Sequence, residues 1–256
     1  MANPTEVAPS PSGRHSPSIG FFERLPVVAG SAVAVLGAFV LFGWAVNLPI
    51  VMTWTIGGLR MIPLTALCFV LAGGSLAMAV RSNRTPTTEA IQETLAALVA
   101  TIAVLTFYEY IRGADSEFDR LLFGTRLGHV PGRIAINSTA SFLLYSLALL
   151  FVPHDQRKKD LRAQMFATPA LLISLIAILG YVFGVRGMYS LSQSAGMALP
   201  TAIALLVLGI GIIFAVRDRG VPALLMDEGP AGVLTRRLLP AAVFAPIVLG
   251  VIRLAG

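Results

Sequence analysis

Arg60-Met-Ile-Pro-Leu-Thr-Ala-Leu-Cys-Phe69 is the stretch that decides how this chain is read, because it returns twice. It recurs as Arg133-Ile-Ala-Ile-Asn-Ser-Thr-Ala-Ser-Phe142 and, more loosely, as Gly196-Met-Ala-Leu-Pro-Thr-Ala-Ile-Ala-Leu205. In each copy a hydroxyl residue (Thr65, Ser138, Thr201) stands four positions after an apolar one (Met61, Ile134, Met197), and an uncharged run comes next. The copies begin 73 and 63 residues apart, so they differ by loop insertions. A repeat on this scale speaks to architecture before any local motif does.

The runs behind the block set the fold class. The chain is 56% hydrophobic and 12% charged, far more apolar than a soluble domain of 256 residues. Its charges are segregated, leaving uncharged runs at 25–59, 61–80, 134–153, 163–185 and 187–216. A bilayer core of ~30 Å takes roughly 20 residues of helix. Backbone polar groups in lipid must be satisfied internally, so these runs are helices or a closed barrel. Barrel strands are short, at ~10 residues, and alternate in polarity, which excludes the barrel. The expected fold is all-α, a polytopic transmembrane bundle of about seven helices built from repeated helical hairpins.

Seven spans are predicted, at about 26–46, 62–80, 88–111, 134–151, 166–185, 197–216 and 233–254. Residues 1–24, rich in Pro and Ser, read as a disordered cytoplasmic tail with an interfacial anchor at Phe21, Phe22 and Arg24. The remainder, 25–256, reads as the transmembrane domain. Pro63 fits the first turn of its helix. Thr88 is the expected cap of the third helix, with Glu89 and Glu93 at the positive end of its dipole. Asn137 or Ser138 is expected to cap the fourth. In the loop 112–132, Phe118, Leu121, Leu122 and Phe123 suggest a short helix on the membrane surface. Pro240 and Pro246 predict a kink in the last span.

Basic residues set the orientation. The tail and the turns after the second, fourth and sixth spans hold Arg14, Arg24, Arg81, Arg84, Arg157, Lys158, Lys159, Arg162, Arg217, Arg219, Arg236 and Arg237. The opposite loops hold Arg60, Arg112, Arg120, Arg126, Arg133 and Arg186. Twelve against six puts the N-terminus in the cytoplasm. The same pattern explains the +6 net charge through the bilayer, with no nucleic acid as partner.

Spans one and two, three and four, and five and six pair naturally. The first of each pair ends in aromatic residues: Gly43-Trp44, Tyr108-Glu-Tyr110, and Gly180-Tyr181 with Phe183. The second begins with the repeated block. The seventh span is then the first half of a fourth hairpin.

The blocks Arg133–Phe142 and Gly196–Leu205, the exit Gly180-Tyr-Val-Phe-Gly184, and the basic turn from Arg217-Asp-Arg-Gly220 to Arg236-Arg-Leu-Leu-Pro240 resemble the N-terminal multi-pass region of bacterial PAS-containing sensor histidine kinases and diguanylate cyclases. The resemblance spans about Leu25 to Leu254. It implies about eight helices feeding a cytoplasmic PAS and kinase or cyclase output, in the bacterial inner membrane. Leu64 stands where that pattern favours Asn, as Asn137 does in the second copy. No PAS, phosphoacceptor-histidine or cyclase segment is present in these residues: either the chain is a fragment that lacks an eighth helix and output domain, or the seventh span is an odd closure.

Chemistry-bearing residues are few. Glu109, between Tyr108 and Tyr110, is an acid in an aromatic setting near a helix exit, a candidate for sensing or proton linkage. The hydroxyls and amide of the block (Thr65, Asn137, Ser138, Thr201) read as helix caps and interhelical hydrogen bonds. Their functional reading is a polar rim around a shallow outer cavity. His129 with Asp115, Glu117 and Asp119 matches no metal-ligand spacing and reads as a solvated loop. His15 and His154 lie in the tail and a cytoplasmic turn, so no cofactor and no haem is expected. Cys68 reads as a buried small hydrophobe. Gly73, Gly74, Gly209 and Gly211 read as close-packing surfaces. No catalytic motif appears. The expected role is a sensory input module of a two-component or cyclic-di-GMP system, as a homodimer or larger membrane assembly. The alternatives are an accessory subunit packed through its small-residue faces, and a small transporter; parallel rather than inverted copies and few mid-membrane charges disfavour the latter.

Overall fold

The computed structural model describes residues 17–48, 59–81, 85–113, 133–152, 161–190, 196–216, 220–227, 229–230, 232–238 and 241. These form α1 (Pro17–Ala45), α2 (Pro63–Ala79), α3 (Pro86–Arg112), α4 (Ile136–Leu150), α5 (Arg162–Val182), α6 (Arg186–Tyr189), α7 (Leu199–Ala215) and α8 (Gly220–Met226), with no strand among them. Three helices are long and apolar enough to cross a membrane: Arg24–Ala45 of α1, then α3 and α5.

Two kinds of helix divide the work. The long helices α1, α3 and α5 bury only a stripe. In α3 it is Gln92, Ala96, Val99, Ile102, Ala103 and Thr106, a helical spacing of three and four that faces the bundle. Their other faces expose Val35, Phe39, Leu98, Val104, Leu172 and Ile176. Apolar side chains on both faces are what a helix between protein and lipid requires. The short helices α2, α4 and α7 are buried on most sides and touch one another. Around them the contacts run α1–α2, α2–α3, α3–α4, α4–α5, α5–α7 and back from α7 to α1, a closed ring.

Glycines set the tightest approach. A Cβ on Gly37 would stand 2.5 Å from the Ala66 carbonyl oxygen, and one on Gly30 would stand 2.8 Å from that of Gly73. Gly73 reciprocates, 2.5 Å from the Gly30 carbonyl oxygen, so α1 and α2 meet backbone to backbone. Gly211 admits Ala29 of α1 in the same way, and Gly209 makes room for the Tyr145 ring. Gly74 departs from expectation: its nearest neighbour would be Leu95 Cδ1 at 3.6 Å, an ordinary contact. Phe69 and Phe142 meet edge to face at 5.0 Å in the centre, where Cys68 is also fully buried.

Several boundaries move. α1 starts at Pro17, inside the stretch predicted as tail, and carries Pro26 within it. Phe22 stacks on Phe214 at 5.4 Å, an apolar anchorage that accounts for helix upstream of Arg24. α3 is capped by Thr85, not Thr88. The two threonines form a reciprocal capping box with Pro86 at the first helical position. α2, α4 and α7 are shorter than their uncharged runs, at 17, 15 and 17 residues. The predicted surface helix at 118–123, residues 1–16, the three histidines, Asp115, Glu117, Asp119 and most of the predicted span 233–254 lie outside the described residues.

Candidate functional site: aromatic-held turns ahead of the inner helices

A helix of 15–17 residues is ~22–26 Å long, short of a ~30 Å hydrocarbon core. Extended residues stand just ahead of each of α2, α4 and α7. Helix α2 is preceded by Ile62 at φ −78°, ψ 156°, α4 by Ala135 at −59°, 144°, and α7 by Ala198 at −66°, 148°. These are the third residues of the three copies of the block, so each helix starts at the same block position. Two or three extended residues add ~7–10 Å. They are buried: Met61, Ile62, Ile134, Ala135, Met197 and Ala198 are all 6% exposed or less.

Extended backbone at that depth exposes carbonyls that no helix satisfies, which is tolerable only where protein supplies donors. One aromatic side chain does so in each case. Trp44 donates its indole N–H to the Met61 carbonyl at 3.1 Å. Tyr110 donates its hydroxyl to the Ile134 carbonyl at 2.8 Å. Tyr181 donates to the Met197 carbonyl at 2.7 Å. Donors come from the ends of α1, α3 and α5, and acceptors are the second residue of each block. Residues expected to form an interfacial belt therefore point inward, Trp44 so far that it is 1% exposed.

Further contacts fix the three turns. Arg133 lies over the Tyr110 ring at 4.8 Å. Tyr181 stacks on Tyr189 at 4.1 Å, and the Tyr189 carbonyl accepts from both the Met197 amide at 2.8 Å and the Asn137 side chain at 3.2 Å. Asn137 thus ties the start of α4 to α6. Gly184, at φ 67°, turns the chain after α5 so that α6 returns against Gly180.

The sequence-selected residues separate. Tyr110 and Asn137 belong to these turns. Thr65, Ser138 and Thr201 are buried at the third helical position of α2, α4 and α7, and neither they nor Asn137 caps a helix. The capping positions fall on Ile62, Ala135 and Ala198, which offer no side-chain acceptor, so the expectation of polar caps fails. Tyr108 faces outward with Arg112 over its ring at 5.0 Å. Glu109 is half-buried, and its Oε2 is sealed from solvent without a hydrogen-bond partner.

At the opposite end two glutamines carry work that the sequence did not announce. Gln92, fully buried on α3, donates to the Leu149 carbonyl near the end of α4 at 3.1 Å and to Ser75 Oγ at 3.3 Å. Gln164 on α5 donates to the Val216 carbonyl just past α7 at 3.1 Å. Gln164 thus serves a carbonyl beyond the end of α7, and Gln92 adds a second donor to the Leu149 carbonyl, which also accepts from the Val152 amide at 3.3 Å. Their position, 18 and 17 residues before Tyr110 and Tyr181, was the available signal. No protein family, characterised protein or solved structure matches this chain.

Proposed function

We propose that the chain is the membrane input module of a bacterial signal-transduction protein of the two-component or cyclic-di-GMP type, seated in the inner membrane with its N-terminus in the cytoplasm. In this reading it is built from three repeated helical hairpins, α1–α2, α3–α4 and α5–α7, followed by a seventh span. The observation that carries the proposal is the triplicate turn. Three extended segments at one end of the bundle are each held by one aromatic hydrogen bond, above short helices packed on glycine and alanine. A net ~0.5–1.5 kcal/mol per bond makes such a layer a weak, discrete element that a ligand or membrane state on the outer side can bias. The orientation rests on the basic turns, of which Arg81 and Arg162 lie at the end away from the aromatics.

Two observations favour this over the other roles. Glycines of the small-residue faces, Gly30, Gly37, Gly73, Gly209 and Gly211, are consumed by contacts within the chain, leaving none of them free to bind a neighbouring subunit. The centre is filled by Phe69, Phe142, Tyr145, Leu205 and Leu208, which disfavours a transport path. The deciding experiment is to read the gene past codon 256 and express what it encodes. An in-frame eighth helix with PAS and kinase or cyclase segments supports the input module; an immediate stop overturns it in favour of a subunit.

A further inference from the structure

The ring closes where α7 meets α1, and this seam carries an open groove on its outer face. The groove has a volume of about 360 Å³ and is lined by apolar side chains, among them Val28 and Ala32 of α1 and Val207 and Ile210 of α7. That volume lies at the lower end of the ~300–1,000 Å³ range of ligand clefts. It exists for a packing reason. Gly211 lets Ala29 approach so closely that the helices touch at the floor, while small Ala29 and Ala32 leave the space above unfilled. Leu25, beside Arg24 on α1, completes the lining at the N-terminal end of α1, the end assigned to the cytoplasm.

Arg24 stands at that same end. Its aliphatic stem lines the groove and the residue is exposed, the disposition of an arginine whose stem covers apolar surface while its head reaches the headgroup layer. From Arg24 to Ala32 the helix rises ~12 Å, so the groove runs from headgroup depth into the inner leaflet. A cation above a dry slot that opens sideways to lipid complements one class of molecule: an anionic head on an acyl chain.

We infer that the α1–α7 seam is a binding site for one anionic glycerophospholipid of the inner leaflet, its phosphate at Arg24 and an acyl chain along Val28, Ala32, Val207 and Ile210. The inference goes beyond the proposed function and depends on it only for the leaflet. Two other occupants are conceivable in chemistry, a second copy of the chain and the apolar stretch 242–252, and both lack a use for Arg24.

Native mass spectrometry of the full chain in mild detergent tests it, with phosphatidylglycerol and phosphatidylethanolamine of matched chains as probes. The expected result is a one-lipid adduct of the monomer that favours phosphatidylglycerol by about fivefold, the worth of one arginine near an anionic head. Arg24→Gln should abolish the preference while retaining weak binding of both lipids. Ala32→Phe, at an exposed position, should fill the groove and abolish both. Arg81→Gln, on the same side but away from the groove, should change nothing. Equal retention of the two lipids by the unaltered chain overturns the inference, as does an Arg81→Gln effect equal to that of Arg24→Gln. A lipid-free dimer, or adducts that Ala32→Phe does not reduce, would also overturn it, assigning the groove to a second copy or to the chain's own C-terminal stretch.

Discussion

Tyr181→Phe removes one oxygen and leaves the ring on Tyr189, so its effect isolates the hydrogen bond to the Met197 carbonyl. Met197 is 1% exposed, so the variant leaves its carbonyl buried without this donor. Stranding a buried acceptor costs ~1–3 kcal/mol in water-soluble proteins. Interhelical hydrogen bonds in membranes average nearer ~0.6 kcal/mol, because the unfolded chain also finds partners there. Tyr181 is half-buried, so water can partly replace the lost donor, and the lower figure governs: about 1 kcal/mol. Tyr110→Phe, also half-buried, should match it. Trp44→Phe is different. Its donor lies beside a residue 6% exposed and is itself 1% exposed, so water has no route, and the smaller ring leaves a void. The carbonyl and the void together cost roughly 2–4 kcal/mol. Thermal unfolding in nanodiscs, followed by loss of helical circular dichroism, reads the series. At ~2–4 °C per kcal/mol for a chain of this size, the tyrosine variants fall by a few degrees and Trp44→Phe by about twice that or more. Three unchanged midpoints, or tyrosine variants costlier than Trp44→Phe, would refute the idea that these side chains hold the turns.

Further predictions test other parts of the structure. Gly37→Ala puts a methyl group 2.5 Å from the Ala66 carbonyl and should cost about 1–3 kcal/mol, whereas Gly74→Ala, whose nearest contact is 3.6 Å, should be neutral or slightly stabilising; equal midpoints would show that α1 and α2 are not in backbone contact. Gln164→Met should destabilise by ~1–2 kcal/mol through the Val216 carbonyl, and Gln92→Met by less, because it also removes an Oε1 that is buried without a partner; the reverse order in chemical denaturation would contradict the assigned bonds. Single cysteines at the exposed Arg60 and Arg81 should label from opposite sides of intact cells, Arg60→Cys from outside, with buried Cys68 silent; labelling from one side only would reject the orientation.

How far the sequence was legible depends on the property each signal measures. Uncharged runs report the length of chain kept from water, and on that count the first six spans lie near α1–α5 and α7, while the short α6 and α8 fall where loops were expected. A run does not distinguish helical from extended residues. Ile134 and Ala135, like Met197 and Ala198, are as apolar as the helices after them, so the spans predicted at 134–151 and 197–216 absorbed them, while the span at 62–80 came within a residue of α2 at each end. The repeat contained the correction: a proline at the first or second helical position in two copies, Pro63 and Pro200, marks where helix begins. The aromatic exits were visible as a pattern and misread in direction, because residues enriched at interfaces by amphipathic character serve equally well as inward donors. The glutamines were invisible for a related reason. A polar residue near the end of an apolar run looks like the edge of the membrane, and only the burial of Gln92 shows it to be interior. The two errors share one cause. Composition locates the boundary between apolar and polar chain, whereas α4 and α7 have side-chain donors placed inside it at both ends, Tyr110 with Gln92 and Tyr181 with Gln164.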